Sequence, residues 1–365
     1  MSTCKAFVLA VIIALCTGIS WGQCPANCTC TGTAVRCIGQ QLSTIPLSLP
    51  DATLLDLSNN MLASLPDDAF KDWPNLTELN LRINQLRNIS QATFRGLTKL
   101  LTLFLWYNGI ESIDDGVFEE VPNLTYLDLH GNRIRNISQA TFRGLTKLRY
   151  LDLSKIELES IDDGVFEGVP NLTTLFLYSN RLRNISQATF RGLTKLLTLN
   201  LNANELEPIG DGVFEGMPNL IQLILSFNRL RNISLATIRG LTKLLHLDLR
   251  NNEFESIGDG VFEEVPNLTS LYLNNNRLRN ISQGTFRGLT KLQNLELNRI
   301  ELESIDDGVF EGLPNLESVY LNNNRLRNIS QGTFRGLTKL QNLWLYNNEL
   351  KSIDDGLNKA FKYIS

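Results

Sequence analysis

The chain has 365 residues, of which 43% are hydrophobic, and its 34 basic and 38 acidic side chains leave a formal charge of −4. A chain of this length can bury a substantial core. Proteins that read nucleic acids carry a strongly basic face. The near balance of charge therefore gives no reason to expect DNA or RNA as a partner.

Residues 1–22 have the composition of a secretory signal peptide. Lys5 is followed by an apolar run over residues 6–16, and small residues precede Gln23. The run is shorter than the roughly 20 residues that cross a bilayer, and a buried helix is the alternative interpretation. A signal peptide predicts a secreted, extracellular protein whose mature chain begins at Gln23, without Cys4 and Cys16.

Residues 23–51 contain four closely spaced cysteines: Cys24, Cys28, Cys30 and Cys37. An even number of cysteines in a short segment of a secreted protein indicates two disulfides, and four cysteines allow three pairings. A zinc site is the alternative that the residue types leave open. We expect this segment to cap the apolar end of the coil that follows.

From residue 52 the pattern LxxLxLxxNxL recurs every 24 residues, which makes thirteen coils without an insertion. In one coil, Leu127 and Leu129 alternate with Asp128 and His130, as in a short strand with leucines inward. The asparagine of the pattern occurs at Asn60, Asn84, Asn108, Asn132, Asn180, Asn204, Asn228, Asn252, Asn276, Asn324 and Asn348.

The asparagine side chain can satisfy backbone groups where the chain bends after the strand. Ile156 and Ile300 occupy this position in two coils and cannot do so. An unmet buried polar group costs roughly 1–3 kcal/mol. The sequence therefore predicts either a water or a local weak point at each of these two coils.

A phenylalanine also recurs in each of the first twelve coils, with Ile238 in its place once. Because one coil cannot bury its own apolar face, stacked coils must share a continuous core. The pattern predicts an α/β solenoid, a curved rod with a parallel β-sheet on its concave face and irregular or 3-10 segments on its convex face. The recurring residues are Phe70, Phe94, Phe118, Phe142, Phe166, Phe190, Phe214, Phe262, Phe286, Phe310 and Phe334.

Basic coils alternate with acidic ones. Stacking should place Arg181 and Arg183 between glutamates of the two neighbouring coils, and Arg191 between Glu167 and Glu215. Exposed ion pairs contribute only about 0–1 kcal/mol each. Their main expected effect is on register, because a shift by one coil would place like charges together.

Eleven Asn-x-Ser/Thr sequons predict glycosylation of a secreted chain. Apart from the one in the cap, they lie just before the strand or beyond the repeat asparagine, so glycans there would leave the concave face bare. The sequons are at Asn27, Asn75, Asn88, Asn123, Asn136, Asn171, Asn184, Asn232, Asn267, Asn280 and Asn328.

The outward strand residues vary between coils while the framework is nearly copied. Large aromatic side chains are common interface anchors, so two groups on this face predict ligand-binding patches. The alternative is that exposed strand positions simply favour aromatic residues. The first patch contains Phe104, Trp106, Tyr107, Tyr126, Asp128, His130, Tyr150, Asp152, Phe176 and Tyr178. The second contains Tyr272, Tyr320, Trp344 and Tyr346.

Nothing in the sequence predicts catalysis, a cofactor or a metal site. His130 and His246 are more than four coils apart, roughly 23 Å at the strand spacing. The IDDG segments lack the spacing of calcium loops, and no nucleophile-elbow, zinc-protease or P-loop motif is present. We therefore expect a protein that is not an enzyme.

The cysteine segment, the repeats and the phenylalanine series together resemble the extracellular leucine-rich repeat family, including Toll-like and Slit-type ectodomains. The uniform coils are most similar to the variable lymphocyte receptors of jawless vertebrates. The resemblance implies an N-terminal cysteine cap with Cys24–Cys30 and Cys28–Cys37 disulfides, and a ligand bound by the concave strands. The sequence departs from those receptors in having no cysteine after Cys37.

The end of the chain departs from the repeat as well, since Asn358 stands where the phenylalanine belongs and the coil is incomplete at Ser365. A short capping helix and a truncated product are the two interpretations. No apolar tail follows, so the sequence predicts neither a membrane span nor a lipid anchor.

These observations predict a secreted recognition protein that binds a protein or glycan ligand on its concave face, as in immunity, adhesion or signalling. The alternative is a structural extracellular-matrix protein that self-associates through its flanks or its open C-terminal end.

Overall fold

The computed structural model describes residues 23–207 and 209–351. The predicted signal peptide, and the part of the last coil that departs from the repeat, lie outside the described residues.

One sheet of 15 strands runs along the described chain. It begins with an antiparallel hairpin, β1 (Thr29–Thr31) and β2 (Ala34–Arg36), and continues with one short parallel strand from each of the thirteen coils. The predicted parallel sheet is therefore confirmed. The coil strands are β3 (Leu54–Asp56), β4 (Glu78–Asn80), β6 (Thr102–Phe104), β8 (Tyr126–Asp128), β9 (Tyr150–Asp152), β10 (Thr174–Phe176), β11 (Thr198–Asn200), β12 (Gln222–Ile224), β13 (His246–Asp248), β14 (Ser270–Tyr272), β15 (Asn294–Glu296), β16 (Ser318–Tyr320) and β17 (Asn342–Trp344).

The remainder of each coil is mostly turns. The described residues include two 3-10 helices, Val261–Glu264 and Gln331–Phe334. A second, two-stranded parallel sheet joins β5 (Asn88–Ile89) to β7 (Ser112–Ile113). The repeat pattern did not predict this small sheet, because both coils carry the same framework there as coils that lack it.

The repeat asparagines form a ladder between coils. Asn108 donates from Nδ2 to the carbonyl oxygens of Leu105 (2.9 Å) and of Leu81 in the preceding coil (3.0 Å), and its Oδ1 accepts from the Leu86 N–H (3.2 Å). The predicted role of the amide is confirmed. Each asparagine thus forms hydrogen bonds with backbone groups of its own coil and of the preceding coil, and these bonds fix the register between the two coils.

Ile156 is fully buried in the asparagine position, and the backbone adapts around it. Its N–H and that of Leu158 both donate to Oδ1 of Asn180, the asparagine of the next coil, at 3.0 and 3.2 Å. Glu157 has a φ of 68°. Ile300 is accommodated in the same way by Asn324, with φ of 63° at Glu301. The bond from Leu158 is also made by the equivalent residues of ordinary coils, such as Leu86 to Asn108, so the bond from the Ile156 N–H is what differs here. A water or a local weak point at these two coils stays a prediction.

The phenylalanines form the predicted stack in the core. Successive rings from Phe70 to Phe214 are nearly parallel, with centroids 6.2–6.4 Å apart. All of them are buried, as is Ile238, which interrupts the aromatic series. The stacked side chains fill the space between the concave strands and the convex turns.

The cysteine cap extends the sheet over the first coil. Cys24 is joined to Cys30 and Cys28 to Cys37, which is the pairing that the family resemblance implies. β2 pairs with β3, and Nδ2 of Asn60 donates to the Cys37 carbonyl oxygen at 2.7 Å. The cap therefore gives the first asparagine of the ladder the partner that a preceding coil would supply.

Ion pairs between coils follow the predicted alternation of charge. Arg181 lies 3.8 Å from Glu157, Arg183 lies 3.3 Å from Glu205, and Arg191 lies 3.5 Å from Glu167. The arginine side chains are more than half exposed, so each pair contributes little to stability. The predicted pair of Arg191 with Glu215 is not among the ion pairs of the described residues.

Candidate binding surface on the concave face

The register of the sheet brings the first predicted patch together across four strands. Phe104, Asp128, Asp152 and Phe176 are cross-strand neighbours in that order on β6, β8, β9 and β10. Tyr126 and Tyr150 are paired at the position two residues earlier on the two central strands. Two carboxylates therefore lie between two phenylalanines and beside two tyrosines.

Aromatic contacts run continuously across these strands. The rings of Tyr126 and Tyr150 are stacked, with centroids 4.2 Å apart and an interplanar angle of 3°. Phe104 contacts Tyr126 at 5.3 Å, and Phe176 contacts Tyr150 at 5.5 Å. All four side chains are half-buried, so one side of this row packs on the sheet while the other is open to a partner.

A second row lies just beyond the ends of the same strands. The Tyr107 ring contacts Trp106 at 5.3 Å and His130 at 5.1 Å, and it lies over Gly131. A Cβ at Gly131 would be 2.5 Å from the Tyr107 ring, and Gly131 also has a φ of 68°. Glycine is therefore required there both by the backbone and by the ring.

His130 and Tyr178 are bridged across an intervening coil. The Tyr178 hydroxyl lies 3.1 Å from Nδ1 of His130. Burial lowers the pKa of His130, which favours the neutral ring. The hydroxyl of Ser154, on the coil between them, is fully buried; it interacts electrostatically with the Tyr178 phenol without the geometry of a hydrogen bond.

The two carboxylates accept hydrogen bonds from backbone N–H groups, and Asp152 also accepts one from the Tyr150 hydroxyl at 3.4 Å. Asp128 accepts from the His130 N–H at 3.0 Å, and Asp152, only 5% exposed, accepts from the Ser154 N–H at 2.8 Å. Burial raises the pKa of Asp128 from its ordinary 3.8 to about 6, and Asp152 adds to that rise. Neither aspartate has an ion pair among the described residues.

Two basic residues at the edge of the first patch were missed by the sequence analysis. The Arg82 guanidinium lies 5.1 Å from the centroid of the Trp106 ring, and Nζ of Lys155 lies 6.0 Å from that of Tyr178. Arg82 occupies the position in its coil that Trp106 occupies in the next coil, and Lys155 occupies the position in its coil that Tyr107 occupies two coils earlier. That equivalence of position is the signal in the sequence that could have identified them.

The second predicted patch is divided. Tyr320 and Trp344 are stacked with centroids 3.9 Å apart, but Glu296 separates Tyr272 from Tyr320 in the sheet. Tyr346 is 46% exposed. Tyr272 thus lies two strands from Tyr320, and ligand binding by the second patch stays a prediction.

Tyr272 belongs instead to a charged group that the sequence analysis missed. The Arg250 guanidinium lies 5.5 Å from the Tyr272 ring centroid, and its Nη2 lies 2.9 Å from the carboxylate of Asp248. Glu296 is the next neighbour in the sheet, and burial raises its pKa. Here the chain itself supplies a cation to a buried carboxylate beside an aromatic ring.

The predicted glycosylation sites lie off the concave strands, at two kinds of position. Asparagines of the first kind lie just before a strand and contact both neighbouring coils. Asn123, for example, donates from Nδ2 to the Thr98 carbonyl oxygen of the preceding coil at 2.6 Å, and its Oδ1 accepts from Nζ of Lys147 in the next coil at 2.6 Å. Those beyond the repeat asparagine, such as Asn184, are exposed. Asn27 is exposed in the cap.

No helix of the described residues has the length and apolar character needed to cross a membrane. Within the same residues, no group of three or more histidine, cysteine or acidic side chains is arranged to hold a metal ion.

Comparison with known families matches almost all of the described chain. Leucine rich repeat models match residues 50–105, 98–155, 154–206 and 196–254, and a BspA type leucine rich repeat region matches residues 255–364. The leucine rich repeat N-terminal domain matches residues 23–50, which contain the four cysteines of the cap.

Two curated relatives match parts of the chain. Mouse (Mus musculus) chondroadherin-like protein is 38% identical over 106 residues, and Danio rerio leucine-rich repeat-containing protein 3 is 32% identical over 114 residues. These alignments cover 27% and 30% of this chain, and 14% and 43% of the relatives. The chain thus matches less than half the length of either relative.

Solved structures share the fold. A chain of a TLR13–ssRNA13 complex is 28% identical, with a TM-score of 0.69 over 84% of this chain and 52% of the other. A chain of the octameric complex of Latrophilin 3, Unc5D and FLRT2 is 25% identical, with a TM-score of 0.66 over 84% and 86% of the two chains. A Listeria monocytogenes internalin, at 24% identity and a TM-score of 0.68, supports the fold alone.

Proposed function

Because the chain belongs to the leucine-rich repeat family, we propose that it is a secreted, non-enzymatic recognition protein that binds a ligand on its concave face. The observation that carries the proposal is the aromatic surface centred on Tyr126 and Tyr150, with the half-buried Asp128 and the buried Asp152 within it. The framework does not need these residues, since other coils fold around Thr, Asn or Ile at the same positions. A surface with this composition is typical of a binding site.

Between protein and glycan ligands, the proposal favours a protein. The similar chain in the FLRT2 complex is assembled with other proteins, and half-buried rings that offer one face to solvent are frequent protein-binding anchors. The similar TLR13 chain is in complex with RNA. A phosphate backbone would be repelled by Asp128 and Asp152, which have no cation of their own.

An array of purified extracellular proteins and glycans tests the proposal. The protein, expressed by a secretory route and multimerised, is applied to the array, and each ligand found is then titrated against Trp106→Ala and Tyr178→Ala. We expect at least a tenfold loss of affinity, about 1.4 kcal/mol, with a thermal midpoint close to that of the wild type. Thr198→Ala, on a polar part of the same sheet, is the control.

Two results would contradict the proposal. Ligands that bind the two aromatic variants as tightly as the wild type would place recognition elsewhere. A large fall in thermal midpoint would instead mark Trp106 or Tyr178 as a structural residue.

A structural extracellular-matrix protein is the second candidate, favoured by apolar side chains on the flank. Leu101 and Leu197, each just before a strand, are 43% and 38% exposed. Sedimentation velocity over a range of concentrations tests this function. Assembly that Leu101→Ser and Leu197→Ser abolish, and that Trp106→Ala leaves unchanged, would support it against concave-face recognition.

A further inference from the structure

The centre of the first patch has the composition of a cation site, and we name it the acidic cradle. Asp128 and Asp152 are adjacent in the sheet, and Asp152 is nine-tenths or more buried. Buried carboxylates are normally paired with a cation or coordinate a metal. The acidic cradle consists of Phe104, Tyr126, Asp128, Tyr150, Asp152 and Phe176.

The walls of the acidic cradle are aromatic on both sides. Phe104 neighbours Asp128 in the sheet and Phe176 neighbours Asp152, while the stacked tyrosines lie one row away. Ring faces attract ammonium and guanidinium groups, and more strongly where water is excluded. Carboxylates and rings in one half-buried place therefore favour the same class of ligand.

A buried polar group beside the acidic cradle is also without a hydrogen-bond partner. The Ser154 hydroxyl, two residues after Asp152, is fully buried and makes no hydrogen bond among the described residues. Buried hydroxyls nearly always have a partner. Ser58, the equivalent serine of the first coil, is likewise buried without a hydrogen bond within the described chain, so the acidic cradle is distinguished by its two adjacent carboxylates without an ion pair and by their aromatic neighbours.

The chain contains a filled counterpart of this arrangement farther along the same sheet. Asp248 occupies the same strand position as Asp152, and Arg250 supplies its cation at 2.9 Å while lying over the Tyr272 ring. The residue equivalent to Arg250 in the coil of Asp152 is Ser154. The two sites therefore differ in whether the chain itself provides a guanidinium.

We propose that the acidic cradle binds an arginine side chain of the protein ligand, in the way that Asp248 and Tyr272 hold Arg250. Arginine is preferred to lysine because its planar guanidinium can stack on a ring and bond a carboxylate at the same time. This inference rests on the proposed function, and it names the chemistry of the ligand group at the centre of that site.

A tripeptide with one arginine, Ac-Ala-Arg-Ala-NH2, is the probe, and its citrulline counterpart is the neutral control of the same shape. Binding is measured from the broadening of the peptide NMR signals on titration with the full chain. We expect saturable binding of the arginine peptide, at least fivefold tighter than that of the citrulline peptide. A lysine peptide is expected to bind less tightly than the arginine peptide.

Variants locate the binding. Asp128→Asn and, separately, Phe104→Ala should each weaken binding of the arginine peptide at least threefold, so the test survives if one variant fails to fold. Asp248→Asn is the matched control, since it removes a carboxylate at the same strand position in a site already filled by Arg250, and it should leave binding unchanged. Thermal midpoints verify that each variant is folded.

Several outcomes would overturn the inference: no saturation with the arginine peptide, equal binding of the citrulline peptide, equal or tighter binding of the lysine peptide, or an equal loss in Asp248→Asn. These are distinct from a failure of the proposed function. If array ligands still lose affinity in Trp106→Ala while Asp128→Asn binds them normally, the concave face is the binding site but the arginine assignment is wrong.

Discussion

Glu157 is held in the left-handed region because Ile156 stands where other coils have asparagine. Glu205, the equivalent residue after Asn204, is not among the positive-φ residues. A left-handed conformation costs a non-glycine residue roughly 1–2 kcal/mol, whereas glycine adopts it freely. We therefore predict that Glu157→Gly is less destabilising than Glu205→Gly by about 1–2 kcal/mol.

The other consequences of the two substitutions are matched. Glu157 lies 3.6 Å from Arg135 and 3.8 Å from Arg181, and Glu205 lies 3.3 Å from Arg183 and 3.6 Å from Arg229. Each variant thus loses two exposed ion pairs, and each carries the extra conformational entropy of an unfolded glycine, about 0.5–1 kcal/mol. These losses largely cancel in the comparison, which leaves the backbone strain.

Urea unfolding followed by tryptophan fluorescence measures the difference, provided that the slope of free energy against urea is the same in both variants. Glu301→Gly, after Ile300, should repeat the behaviour of Glu157→Gly, since Glu301 has a φ of 63°. Equal destabilisation by Glu157→Gly and Glu205→Gly would refute the argument, because the left-handed backbone would then store no strain.

The remaining predictions concern the asparagine ladder and the acidic cradle. Asn180→Ala should destabilise the fold by about 1–2 kcal/mol more than Asn228→Ala in urea unfolding, because the Leu153 carbonyl has no second asparagine whereas the Leu201 carbonyl keeps Asn204; equal losses would contradict this. Asp128→Asn should raise the thermal midpoint at pH 7 and change it little at pH 4. Burial raises the pKa of Asp128 to about 6 from 3.8, so its ionised form opposes folding above about pH 6, and that penalty fades as the pH falls toward 3.8. A gain that persists at pH 4 would assign the effect to something other than charge.

The repeat framework could be predicted from the sequence almost completely. Leucines, asparagines and phenylalanines recur at a fixed interval, and a fixed interval in a solenoid places equivalent residues side by side. The strand register, the ladder of Asn108 and its equivalents, and the stack that begins at Phe70 follow from that rule alone. The first patch was predictable for the same reason, since its members occupy equivalent positions in neighbouring coils.

What only the tertiary structure decided depends on burial and on the direction of side chains, which periodicity does not encode. Asp152 is nearly inaccessible and without a cation, whereas Asp248, at the equivalent position, is paired with Arg250. The backbone at Glu157 turns left-handed because the amide groups around Ile156 must reach Asn180 in the next coil. The repeat thus determined which residues are neighbours, and three-dimensional packing determined which of those neighbours satisfy one another's charge and hydrogen bonds.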